Sequence, residues 1–362
     1  MALKLAGKLA NFLDPPGMII LCAMRSVQSK NIDPRFEEGA HDGVRVGGRS
    51  KGGNDLSGAH SKVFCKSSSY ATIARAHNKR EKILTDLIMP LYQAIVLAII
   101  QGFTEFLPVS STAHLTIIPA LLHWKDPGLS FDVALHVGTL VAVLVYFFRD
   151  WLQVILNGIG ISYRGARPDE NSRSLLWLLV LGTIPAALAG LKFEKYAEET
   201  LRSPYIIGGC MIVFGLLMGL ADKASTARTG LDQMTGFDAI TVGIAQAFAI
   251  IPGVSRSGST LTLARFRGFS REVSARFSFL LSTPVIAGAA AKKGWEMHKE
   301  GLPDDMRLPY AVGVVVSGIV GLLVIAFFMK YLRHNSLNVF VWYRIAFGII
   351  VIALAFFRVI GG

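Results

Sequence analysis

From Met89 onward the chain is a succession of apolar runs, and two of the breaks between them are polar. The runs fall at roughly 90–107, 109–122, 131–148, 174–191, 204–221, 237–251, 259–264, 274–291, 309–329 and 338–360. Those starting near 131, 174, 204, 274, 309 and 338 approach the length a helix needs to cross a bilayer, about 20 apolar residues. The shorter runs flank two boxes, Gln101-Gly-Phe-Thr-Glu105-Phe-Leu-Pro108-Val-Ser110-Ser111-Thr-Ala-His114 and Pro252-Gly253-Val-Ser255-Arg256-Ser257-Gly258-Ser259-Thr260. Hydrocarbon offers no partner to a broken helix or an ionised side chain, so such boxes persist only where protein or a water-filled cavity surrounds them.

The expected fold is therefore an all-α polytopic membrane protein, with six transmembrane helices and two re-entrant helix-loop-helix hairpins. The order reads hairpin, three spans, hairpin, three spans. Because three is odd, the second unit enters from the opposite side. That predicts an inverted-topology repeat, about 89–221 and 237–360, whose hairpin tips meet near the midplane. Pro108 and Pro252 set the repeat spacing at 144 residues.

Composition agrees: 52% of residues are hydrophobic, 17% are charged and mean hydropathy is +0.47, against about 25% charged in soluble domains. The net charge of +12 does not mark a nucleic-acid binder. Basic residues in the apolar part lie mostly in short loops, and no basic face interleaves with aromatics. On this layout eleven basic residues fall on one side and nine on the other, so charge leaves the orientation open. Cys22, Cys65 and Cys210 have no metal-ligand spacing. Residues 1–88 differ in kind, with Gly-Ser-Lys-rich stretches and no sustained periodicity; they read as disordered or weakly structured.

In the first box, Gln101 and Glu105 share one helix face. Pro108 ends that helix, Ser110 and Ser111 start the next, and Ser111 and His114 are neighbours on it. Serines after a break cap helices, but capping does not account for a carboxylate in an apolar segment. A hydroxyl, a base and an orienting or cation-binding group are what nucleophilic displacement requires. The second box suits an anion. Gly253 permits a tight turn, Ser255, Ser257, Ser259 and Thr260 supply hydroxyls, and Arg256 offers a fork that grips phosphate. Asp132 and His136 share a face and form either a further part of the site or an interior polar pair.

Met89 to His114 and Pro252 to Thr260 resemble the two signature regions of the undecaprenyl-diphosphate phosphatases of the bacitracin-resistance type. Ser130 to Leu140 is similar to a third family segment, and the likeness extends over residues 89–362. The resemblance implies a hydrolase that removes the terminal phosphate of undecaprenyl diphosphate, regenerating the lipid carrier for peptidoglycan synthesis. It also implies a divalent cation, Mg2+ or Ca2+, and a multi-pass protein of the bacterial cytoplasmic (inner) membrane whose site opens to the outer face. The family's Glu/Gln-x-x-x-Glu element falls on Gln101 and Glu105, here in the Gln form, as the metal pair.

Together these readings assign the diphosphate to Gly253, Ser255, Arg256, Ser257 and Thr260. Ser111 is the expected nucleophile, His114 its proton-transfer partner and Ser110 the competing nucleophile; direct attack by water stays open. Expected partners are the prenyl diphosphate, membrane lipids and a second copy in a homodimer, with no nucleic acid. The rival reading is a polyprenyl-phosphate transporter using the same pocket. Family members begin near Met89, so residues 1–88 are expected to reflect a mis-assigned start, with Met89 the initiator, or a genuine extension.

Overall fold

The computed structural model describes residues 89–163, 173–223 and 228–360. The expectations for residues 1–88 lie outside them. Helix α1 (Leu91–Phe106) and α2 (Ser111–Leu121) are followed by α3 (Leu129–Tyr146), the short α4 (Phe148–Gly158), α5 (Leu175–Thr200) and α6 (Pro204–Asp222). The second half runs α7 (Gly236–Phe248), α8 (Arg256–Phe266), α9 (Arg271–Glu300), α10 (Asp304–Leu332) and α11 (Asn338–Phe356). Among the described residues there is no strand.

Helices α3, α5, α6, α9, α10 and α11 are each long and apolar enough to cross a membrane. Their outward faces carry Leu188, Leu191, Leu323 and Phe327, each more than half exposed. Apolar surface on this scale is covered by lipid rather than water, and the chain is a multi-pass membrane protein.

One boundary differs from expectation. The run read as 131–148 breaks at Phe147, and α4 follows as a separate element. Its burial is the reverse of a soluble helix. Asp150, Gln153 and Asn157 are buried while Phe148, Leu152 and Ile155 are exposed, and Asp150 lies 3.1 Å from Arg276 of α9. An outward apolar face hides this break from a hydropathy reading.

The two halves match in register. Helices α1 and α7 start at 91 and 236, α2 and α8 start at 111 and 256, and the latter pair end at 121 and 266. The offset is 145, not the 144 set by the prolines, because Pro252 sits one place earlier in its break than Pro108 does. Contacts follow the same exchange: α10 packs on α1 and α3, α5 packs on α7 and α9, and α6 packs on α11. Small residues allow the close crossings. A Cβ on Gly138 of α3 would overlap Ser317 and Val314 of α10.

Candidate active site

Both breaks are built alike. Leu107, the residue before Pro108, is extended (φ −68°, ψ 140°), as the proline ring requires. Each second helix is then entered through a serine in the left-handed region: Ser110 has φ 73° before α2, and Ser255 has φ 70° before α8. Such a conformation costs a non-glycine residue on the order of 1–3 kcal/mol and needs outside support. Ser255 caps α8 by accepting from the Gly258 N–H at 3.1 Å. Gly253 has φ 92°, and a Cβ there would come within 2.5 Å of the Ile207 carbonyl oxygen.

Arg344 of α11 ties the two breaks to each other. It is fully buried; its Nη1 donates to the Pro108 carbonyl (3.1 Å). Its Nη2 donates to the carbonyls of Gly253 (2.8 Å) and Val254 (3.0 Å). These carbonyls, freed by the broken helices, would otherwise be unpaired in an apolar interior. The sequence reading passed over Arg344 because it lies inside the run 338–360; one arginine in a spanning helix was the available signal.

Glu105 is the hub of the site and is 5% exposed. Its Oε2 accepts from Ser111 Oγ at 2.6 Å and from Gln101 Nε2 at 3.0 Å. His136 Nε2 of α3 lies 3.3 Å from the same oxygen. Its Oε1 accepts from Arg256 Nη2 at 2.6 Å. A carboxylate is thus stabilised in its ionised form by a guanidinium reaching across from the other half of the chain. Arg256 Nη1 is buried and has no hydrogen-bond partner among the described residues.

A cavity of about 250 Å³ opens beside this cluster. Glu105, Ser111, His136, Gln246, Ser255 and Arg256 form its polar wall, and Val133, Ile250, Val285 and Ile286 are among its apolar lining. The sequence-selected residues divide accordingly. Glu105, Ser111, Ser255 and Arg256 face one cavity, with Gln101 bonded behind Glu105.

The others stand elsewhere. His114 does not meet Ser111: its Nδ1 bonds the Ser110 carbonyl (2.7 Å) and its Nε2 the Tyr343 hydroxyl (2.6 Å). The i, i+3 spacing placed Ser111 and His114 on neighbouring parts of the helix surface, but the ring turns back toward α11 and stacks on Phe347. Ser110 Oγ pairs with Thr112 Oγ1 at 3.2 Å. Ser257 donates to the Leu107 carbonyl at 3.2 Å, joining the two breaks. Thr260 bonds the Arg256 carbonyl at 2.7 Å and also pairs with Ser278 of α9. Gly253 contributes its turn and its carbonyl rather than a contact with the cavity. His136, read in sequence as either a further part of the site or half of an interior polar pair, is the histidine that lies beside Glu105.

Among the described residues no three His, Cys, Asp or Glu side chains gather at metal-ligand distances. What the site offers a hard cation is Glu105 and the buried, unpaired Oε1 of Gln101. Two protein oxygens fit a cation that keeps its waters and is shared with a substrate phosphate, the usual habit of Mg2+, rather than a caged Ca2+.

The family model for "Bacitracin resistance protein BacA" matches residues 94–350. The chain is 45% identical to an undecaprenyl-diphosphatase of Moorella thermoacetica over 270 residues, 75% of this chain and 100% of that one. It is 45% identical over 273 residues to one from Pelotomaculum thermopropionicum, with the same shares covered. One from Elusimicrobium minutum is 44% identical over 271 residues, again all of its own length. On a match of this extent, the chain belongs to the bacitracin resistance protein BacA family.

Proposed function

We propose that this protein is an undecaprenyl-diphosphate phosphatase of the bacterial cytoplasmic membrane, working through Ser111. The observation that carries the reading is the Ser111 hydroxyl on Glu105 Oε2 at 2.6 Å, with Arg256 on the other carboxylate oxygen. A hydroxyl bonded to a carboxylate has its base in place, and the guanidinium keeps that carboxylate ionised until it is needed.

Arg256 would hold Glu105 through Nη2 and turn its unpaired Nη1 to the diphosphate. Ser111 Oγ attacks the terminal phosphorus while its proton passes to Glu105 Oε2. The bond between that phosphorus and the bridging oxygen breaks, and the prenyl monophosphate leaves as the anion. His136, beside the same oxygen, relays the proton to water. Water then attacks the phosphoserine, giving inorganic phosphate and restoring the hydroxyl. Glu105 and Gln101 Oε1 would hold a divalent cation, which when bound neutralises phosphate charge. The apolar wall of Val133, Ile250, Val285 and Ile286 gives the prenyl chain a place to lie, remote from the reacting bond.

The same proposal puts α1–α2 and α7–α8 in the membrane as re-entrant hairpins entering from opposite faces, with the site open to the outer side. The transporter reading is not favoured, since moving a lipid phosphate does not require a hydroxyl bonded to a carboxylate. The test is phosphate release from a polyprenyl diphosphate by the purified full chain. Wild type releases phosphate, chelation reduces the rate, and Ser111→Ala lowers kcat at least about 100-fold. A wild type that binds the lipid and releases no phosphate overturns the reading.

A further inference from the structure

The register between the halves isolates one residue to which no role has yet been given. At an offset of 145, Gln101 of α1 corresponds to Gln246 of α7, and Glu105 corresponds to Ile250. In the first half the amide nitrogen of Gln101 is committed to Glu105 at 3.0 Å. In the second half the carboxylate is replaced by an alkyl side chain, so the corresponding amide has no such partner.

Gln246 is 3% exposed and lines the cavity beside Ser111 and Arg256. Neither its Nε2 nor its Oε1 has a hydrogen-bond partner in the described structure. A buried primary amide left unpaired at both ends is costly, and an apolar residue of the same shape would avoid the cost. Gln246 lines the same cavity as Arg256, whose Nη1 is likewise buried and without a hydrogen-bond partner among the described residues.

We infer that Gln246 is a substrate-binding residue whose Nε2 donates to a non-bridging oxygen of the diphosphate, opposite the Glu105–Ser111 pair. A neutral donor suits the position. It adds a contact to phosphate without competing with Arg256 for Glu105, as a second cation would, and without repelling the anion, as a carboxylate would. This inference rests on the diphosphate reading of the site.

The test uses the purified full chain with a prenyl diphosphate and with its methylene-bridged analogue, which binds but cannot be cleaved. Gln246→Leu is expected to weaken analogue binding about tenfold and raise KM to match, since one hydrogen bond in a desolvated site is lost, while thermal stability holds or rises. Gln246→Glu is expected to bind more weakly than Gln246→Leu. Gln246→Met provides a second apolar replacement should the leucine variant not fold. Analogue affinity and KM within twofold of wild type in a folded apolar variant overturns the inference, as does a fall in stability with affinity unchanged. A wild type that binds the analogue but cleaves nothing would instead count against the phosphatase, leaving the Gln246 contact to be read from binding alone.

Discussion

At the residue scale the site depends on one carboxylate serving four partners. Glu105 Oε2 receives Ser111, Gln101 and His136, while Oε1 receives Arg256. Such a hub separates positioning from proton transfer experimentally. His136→Gln keeps a donor near Glu105 yet cannot relay a proton; kcat should fall about 100-fold with KM little changed, read from steady-state phosphate release. His114 is bonded to the Ser110 carbonyl and Tyr343, so His114→Asn, which keeps the donor to that carbonyl, should retain activity within about tenfold. A loss at His114→Asn as deep as at Ser111→Ala would return His114 to the chemistry. Sequence spacing was informative for Glu105, Ser111 and Arg256 because a carboxylate, a hydroxyl and a guanidinium near helix breaks have few other uses in an apolar segment. It set His114 beside Ser111, whereas the ring turns toward α11, because i, i+3 neighbours share a face without having to point alike. It left His136 between two readings because its neighbour Glu105 lies on a different helix.

At the element scale the central device is a break entered through a strained serine and held by a buried arginine. Ser110 and Ser255 occupy equivalent places with φ 73° and 70°, and Arg344 gathers carbonyls from both breaks. Removing that guanidinium leaves several buried carbonyls unpaired, each worth about 1–3 kcal/mol. Arg344→Met should therefore lower thermal stability markedly and abolish phosphate release. Arg344→Lys, which keeps the charge and some of the donors, should recover part of the stability. A fully stable and active Arg344→Met would contradict the clamp. The elements themselves were largely legible: spans expected to start near 131, 174, 204, 274, 309 and 338 start at Leu129, Leu175, Pro204, Arg271, Asp304 and Asn338. Length and hydropathy suffice for helices that face lipid on one side. They fail at Phe147, where the chain turns while remaining apolar on its outer surface.

At the scale of the whole molecule, polar residues were legible as charges but not as topology. Arg265, Arg267 and Arg271 counted toward the basic side, yet they lie against acids. Arg271 Nε bonds Asp222 at 2.6 Å, and Arg267 Nε bonds Asp238 at 2.6 Å. Arg265 is buried within 3.8 Å of Asp222. Paired arginines that fasten helix ends carry little information about which side faces the cytoplasm. The clusters at the two ends of the bundle give the layout instead. Met89, Trp124, Met297 and Tyr310 belong to one apolar cluster, and Asp222 joins Arg271 to the Leu337 N–H at the other end. Single cysteines in place of Lys125 and Lys299 should therefore label from one face of a sealed vesicle, and those in place of Lys223 and Lys330 from the opposite face. Labelling of all four from one face would remove the inverted arrangement of the halves. A hydroxyl from one half and a guanidinium from the other meet on the same carboxylate, Glu105. The most direct trial of their union is phosphate release from a polyprenyl diphosphate by wild type and Arg256→Lys. A lysine keeps the charge but lacks the fork that reaches Glu105 and the substrate together, so kcat/KM should fall at least about 100-fold. An Arg256→Lys protein working within a few-fold of wild type would contradict the account.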